Sequence, residues 1–171
     1  MTIETPRLNI TALTPDQLRL WTEDLNALEA ELGCSYRAEP IAGFFKDIIE
    51  GQAAKAAQDP EHYLWHTFWF MIRKTDRFVV GSIDFKDVPV DGEVEIGYGL
   101  GKEYEHEGYM TEAADAFCRW ALSRDGVKSV IAETEPDNTA SQNILLRCGF
   151  EEYSREETVW WRLNKIKEGR I

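Results

Sequence analysis

No apolar run in the chain is long enough to cross a bilayer as a helix, which excludes a helical membrane span. Cysteine is scarce. Cys34, Cys118 and Cys148 stand at no metal-ligand or redox spacing, so buried free thiols in a reducing compartment are expected. Histidine is equally sparse, and neither His66 nor His106 has a second ligand at metal spacing, so no metal is expected. Positive charge is short: 19 Lys and Arg face 31 Asp and Glu, a formal net charge of −12. A nucleic-acid partner is excluded on that balance, because phosphates are met by Lys and Arg. The excess acid suits a cationic partner, and it suits solubility alone. The first residues, Met1 to Ile10, lack the basic-then-apolar shape of a signal peptide, so the expected location is the cytoplasm, with no membrane partner.

What is present is enough apolar and aromatic residue, 43% and 12% of 171, for one domain with a real core. No repeat or linker divides the chain, so a single domain over 1–171 is expected, with 165–171 a loose tail. Residues 7–12 alternate as a strand. Thr14, Pro15 and Gln17 form a capping box that opens a helix carrying Leu18, Trp21, Leu25, Leu28 and Leu32, stopped by Gly33. Ile41, Phe44, Phe45, Ile48 and Ile49 mark a second helix reaching towards Asp59-Pro60. Strands are read at 63–73, 78–86 and 93–100, the last after the hairpin signal Asp91-Gly92. The aromatic strand is apolar on both faces, as a covered central strand should be. The period then switches. Ala114, Phe117, Cys118, Ala121 and Leu122 share a helical face; 127–134 is a β-branched strand; Ser141 to Cys148 is a helix closed by Gly149; a final hairpin covers 150–163. The strand–helix–strand unit over 93–134 predicts a right-handed parallel crossover. The fold class is therefore α/β, a mixed sheet with helices on its faces.

Between that strand and that helix lies Glu103-Tyr104-Glu105-His106-Glu107-Gly108-Tyr109-Met110-Thr111. A helix N-terminus offers unpaired N–H groups and partial positive charge, and a glycine lets an anion approach closely. Together with Glu4-Thr5-Pro6-Arg7-Leu8, with Glu95-Ile96-Gly97-Tyr98, and with Asn138 to Phe150, this loop resembles the GNAT superfamily of acetyl-CoA-dependent N-acetyltransferases. More narrowly, it resembles the branch of ribosomal-protein N-terminal acetyltransferases. The resemblance implies a mostly antiparallel twisted sheet with one splayed parallel pair. It implies acetyl-CoA as co-substrate, with the pantetheine arm against Gly99, Leu100 and Gly101. The pyrophosphate would lie on 105–110 and Thr111, so Glu107, Gly108, Tyr109 and Met110 are contacts. The family's loop pattern is departed from at Glu105 and Met110. Asn138 matches a cofactor-contacting Asn, and also reads as a helix cap. The position of the family's usual Tyr acid is Leu145. Ser141 matches a Ser of the branch and is the expected partner of the leaving thiolate; it also reads as an ordinary first-turn Ser. Arg147 and Lys102 are the basic candidates for the adenosine 3′-phosphate. A homodimer is common in the branch.

Amine acetylation needs a neutral nucleophile and therefore a proton acceptor. Glu93, Glu95, Glu133 and Glu135 lie on the two strands expected to be parallel neighbours, and Glu95 is the first choice of base. The acceptor would be a peptide or small-molecule primary amine. A catalytically silent binding module, or a transferase of another acyl group, is the alternative reading.

Overall fold

The computed structural model describes residues 1–166. A nine-stranded sheet forms its centre, in the order β1-β2-β4-β5-β6-β7-β9-β8, with β3 beside β5. The strands are β1 (Thr2–Glu4), β2 (Leu8–Ala12), β3 (Ser35–Tyr36), β4 (Phe68–Arg73), β5 (Phe78–Phe85), β6 (Glu93–Leu100), β7 (Ser129–Thr134), β8 (Glu151–Arg155) and β9 (Val159–Asn164). The helices are α1 (Pro15–Glu23), α2 (Leu25–Leu32), α3 (Gly43–Gln58), α4 (Tyr109–Leu122) and α5 (Thr139–Arg147). The expected mixed sheet is present, mostly antiparallel, with β6 and β7 parallel. Two residues of β3 add a second, short parallel contact to β5.

Alternation on β4 explains why helices cover both faces. Trp69 and Met71 join the core beneath α4, with Phe85, Phe117 and Leu145. Phe68, Phe70 and Ile72 face the other way, into the core under α1–α3 with Trp21, Leu28 and Ile49. Phe85 stacks on Phe117 at 4.1 Å between centroids, a contact of about 0.5–1.5 kcal/mol beyond its area.

The sequence expectations are corrected in four places. The single helix after Thr14 is two, because Asp24 leaves helical geometry, ends α1, and caps α2 by accepting the Ala27 N–H at 3.1 Å. The aromatic strand begins at Phe68, since Pro60–Trp65 wind into a 3₁₀ segment. The short strands β1 and β3 escape a pattern reading because two or three residues carry no period. Of the three thiols, only Cys118 is buried; Cys34 and Cys148 are half-buried. Gly149 does close α5: the Phe150 N–H reaches the Leu145 carbonyl and the Gly149 N–H that of Leu146, a Schellman ending. The expected loose tail lies, from 167 on, outside the described residues.

The sheet's functional feature is a gap. β6 pairs with β7 only through Glu93, Val94 and Glu95, opposite Ser129, Val130 and Ile131. Beyond Glu95, β6 stays on β5 while β7 continues on β9 to Thr134, so the two strands part at Ile96.

Candidate active site at a splayed strand pair

The gap opens towards α4, which starts after Gly108 in a left-handed conformation, φ +81°. α1, α2 and α5 each have a side-chain cap; α3 and α4 have none, so no capping side chain covers the first-turn N–H groups of α4. The loop is braced from the far end of the chain. Arg7 donates from Nη1 to the Glu107 carbonyl at 2.9 Å and from Nε to Glu112 Oε1 at 2.8 Å. Glu112 Oε2 accepts from the Thr5 hydroxyl at 2.6 Å and the Arg7 N–H at 2.9 Å. Burial opposes ionisation of Glu112, yet these hydrogen bonds hold its carboxyl below the usual range. The Arg7 guanidinium also lies 4.2 Å over the Tyr109 ring. The N-terminal Thr-Pro-Arg-Leu segment thus fixes the first turn of α4.

A cleft of about 510 Å³ lies on this face. Its lining includes most of the expected cofactor residues: Gly99, Leu100, Gly108, Tyr109, Met110, Thr111, Asn138, Ser141 and Arg147. Two others fall outside it. Gly101 donates its N–H to the Val80 carbonyl at 2.8 Å and accepts from the Tyr104 N–H at 2.9 Å, so both its backbone groups are already used. Glu107 is not in the lining; its carbonyl accepts from Arg7, and its N–H is not used in that bond. Lys102 is also absent from the lining, whereas Arg147 is part of it. Met110, which departs from the family pattern, is 3% exposed and packs into the core under α4 rather than standing in the loop.

A second cleft of about 360 Å³ lies on the α3 side of the sheet. The two clefts share Tyr98, Gly99, Asn138 and Ser141, so they meet at the splay. At the junction the Tyr98 hydroxyl and Ser141 Oγ are 2.5 Å apart. Burial pushes the Tyr98 phenol up to about 12, with the Ser141 hydrogen bond acting the other way. Asn138 Oδ1 accepts the Ser141 N–H at 3.1 Å, so Asn138 does cap α5; its amide hydrogens are not used in that bond.

In the second cleft stands Asp84, on β5 directly opposite Gly97. It is 6% exposed, and among the described residues no hydrogen bond or ion pair reaches its carboxylate. Its Oδ1 lies 3.1 Å from where a Cβ on Gly97 would be. Burial pushes its pKa up to about 7, with Lys86 pulling it down and Glu95 adding to the rise. The four glutamates considered as candidate bases divide. Glu133 and Glu135 line the cleft. Glu93 is held by Arg162 at 2.9 Å and by the Ser129 hydroxyl at 3.0 Å. Glu95, the first choice of base, lines neither cleft, and its carboxylate is 3.3 Å from Lys86 Nζ. His66 is buried against Asp59 at 2.9 Å, away from both clefts, while His106 lines the first.

Sequence reading passed over Asp84 and Tyr98. A signal for Asp84 exists: Ser82, Asp84 and Lys86 place polar groups on one face of an otherwise apolar strand. Tyr98 stood in a segment already quoted, but its hydroxyl gains meaning only when α5 brings Ser141 to it.

Residues 7–151 match the acetyltransferase (GNAT) domain family. The uncharacterized N-acetyltransferase YjdG of Bacillus subtilis is 31% identical over 157 residues, 81% of this chain and 88% of that protein. The ribosomal-protein-serine acetyltransferase of Escherichia coli is 28% identical over 90 residues, 52% of this chain and 50% of that protein. Among solved structures, RimL, the ribosomal L7/L12 α-N-protein acetyltransferase in complex with coenzyme A, superposes with a TM-score of 0.69 at 12% identity, covering 96% of this chain and 98% of that one. The chain belongs to the GNAT acetyltransferase family and is an N-acetyltransferase, with acetyl-CoA as its co-substrate. The residues present fit that co-substrate: an uncapped helix start after Gly108, a splayed strand edge at Gly99 and Leu100, and Arg147 share one cleft.

Proposed function

We propose that the protein acetylates a primary amine that enters by the second cleft while acetyl-CoA occupies the first, within a single GNAT domain. The observation that carries this reading is the meeting of the two clefts at Tyr98, Gly99, Asn138 and Ser141, with an unpaired buried carboxylate on one side and a hydrogen-bonded hydroxyl pair on the other. Bound acetyl-CoA supplies an activated acetyl group and leaves as a thiol. The α4 N–H groups would hold its pyrophosphate, and the free edge of β6 its pantetheine arm.

The protein's own groups handle the protons. An alkylammonium must lose a proton at a cost of about 4 kcal/mol at pH 7, an α-ammonium about 1 kcal/mol. Asp84, ionised above about pH 7, is placed to accept that proton beside Gly97. Tyr98, too weak an acid to ionise at neutral pH, keeps its proton and can pass it, through Ser141 or directly, to the departing sulfur. Of the three departures that would favour a catalytically silent fold, Glu105, Met110 and Leu145, burial of Met110 and Leu145 in the core counts against those two obstructing the cleft.

Tyr98→Phe removes the phenolic proton and keeps the ring. Steady-state assays with saturating acetyl-CoA should show kcat lowered about 100-fold. Wild-type turnover in this variant would exclude Tyr98 as proton donor. Glu95→Gln should change kcat by less than about threefold, since it only loses an exposed pairing with Lys86; a loss as large as that of Tyr98→Phe would restore Glu95 as the base.

A further inference from the structure

The face of the sheet on which Asp84 of β5 stands beside Gly97 of β6 has a second carboxylate on it. Gly97 and Gly99 are two residues apart and so point to the same side of the sheet. Neither has a side chain, and an acid stands over each. Asp84 Oδ1 lies 3.1 Å from the Cβ position of Gly97. Glu39, from the loop between β3 and α3, puts Oε1 1.6 Å from the Cβ position of Gly99, so its carboxylate occupies the space that any other residue would fill. The Tyr36 hydroxyl donates to the Glu39 carbonyl at 2.6 Å and fixes the backbone there. Among the described residues no cation or donor reaches the Glu39 carboxylate, and burial raises its pKa. The one basic residue in the lining, Lys86, is paired with Glu95. Glu133 and Glu135 add negative charge, and Phe45 and Ile48 supply an apolar wall.

We infer that the acceptor is a small dicationic amine, one ammonium seated at Asp84 and reacting, the other held by Glu39. This rests on the transferase reading and narrows its acceptor. The two glycines that the carboxylates face are two residues of strand apart, roughly 7 Å, which is on the scale of a short alkyl chain between two ammonium groups. The apolar wall suits the methylenes of such a chain. A peptide N-terminus offers a single cation followed by neutral amide groups, and its backbone supplies no second charge to the half-buried Glu39. An anionic acceptor meets carboxylates throughout.

The test compares butane-1,4-diamine with butylamine, and with a tripeptide bearing a free serine N-terminus, on wild type and Glu39→Gln. Titration calorimetry of butane-1,4-diamine into the coenzyme A complex gives a readout independent of turnover. Wild type should favour the diamine over butylamine by about 30-fold in kcat/KM, the effect of one charge-assisted hydrogen bond in a partly buried site. In Glu39→Gln the ratio should fall to within about threefold of one, and the calorimetric Kd for the diamine should weaken by a similar factor. A wild-type ratio near one, or a ratio unchanged in Glu39→Gln, overturns the inference. If the tripeptide is acetylated while the diamine has no advantage, the transferase reading stands and the dicationic acceptor falls. If no amine is acetylated and coenzyme A does not bind, both fall.

Discussion

Asp84→Asn should lower kcat/KM by about 1,000-fold, the middle of the range for loss of a general base. The wild-type pH profile should rise through a midpoint near about 7 as the carboxylate ionises, and the variant should lose that limb. The same substitution has the opposite effect on stability. In the folded protein Asp84 has its pKa raised from the ordinary value near 4 to about 7 by burial, opposed by Lys86 and reinforced by Glu95. Between those values the native state holds a proton that the unfolded chain has released, so native stability declines as pH rises through this window. Above about pH 7 the full cost of a buried, unpaired carboxylate is present, on the order of 2–4 kcal/mol. Asn carries no such cost. Urea unfolding should find the variant more stable than wild type at pH 8, with the gap closing towards pH 4. An equally active variant, or one less stable at pH 8, would remove Asp84 from the site. The pattern expected is that of a group kept against stability because the reaction needs it.

Gly108→Val should abolish measurable acetyl-CoA binding, a loss of at least about 100-fold in affinity, while the protein still folds. Gly108 has φ +81°, a conformation a β-branched residue adopts at a cost of about 1–2 kcal/mol. A Cβ there would lie 3.4 Å from Arg7 Nη2, the guanidinium that braces the loop through Glu107 and Glu112. Relief of that strain reorients the N–H groups at the start of α4, which the loop offers in place of the Lys and Arg side chains it lacks. Unchanged affinity by calorimetry would mean that the loop does not hold the pyrophosphate.

Most of the architecture was legible because its signals are local and periodic. The capping box Thr14-Pro15-Gln17, the alternation on β4 and the Gly149-Phe150 ending each name their own element. Asp24 was missed because the apolar period runs through it unbroken while its side chain changes partners. The strand, glycine and helix that border the first cleft were legible for the same local reason. The pairing of Gly101 with Val80 was not legible, because it is a property of the sheet and not of the loop. The second cleft was largely hidden. Asp84, Gly97 and Glu39 come from β5, β6 and a distant loop, and only the antiparallel register places two carboxylates over two glycines. Glu95 looked the better base because it lies in a motif, yet the register sets it opposite Lys86, with which it pairs.

The most direct test of the account is the unfolding temperature with and without acetyl-CoA, paired with titration calorimetry on the same preparation. Ligand at about 100 times its Kd should add about 2.7 kcal/mol of stability, which for a chain of this size is a rise of roughly 5–10 °C. That shift, with saturable heat at one site per chain, is the result the account predicts. An unmoved transition and no heat of binding would contradict it, because the acidic loop would then hold no pyrophosphate and the two clefts would not be the halves of an acetyl-transfer site.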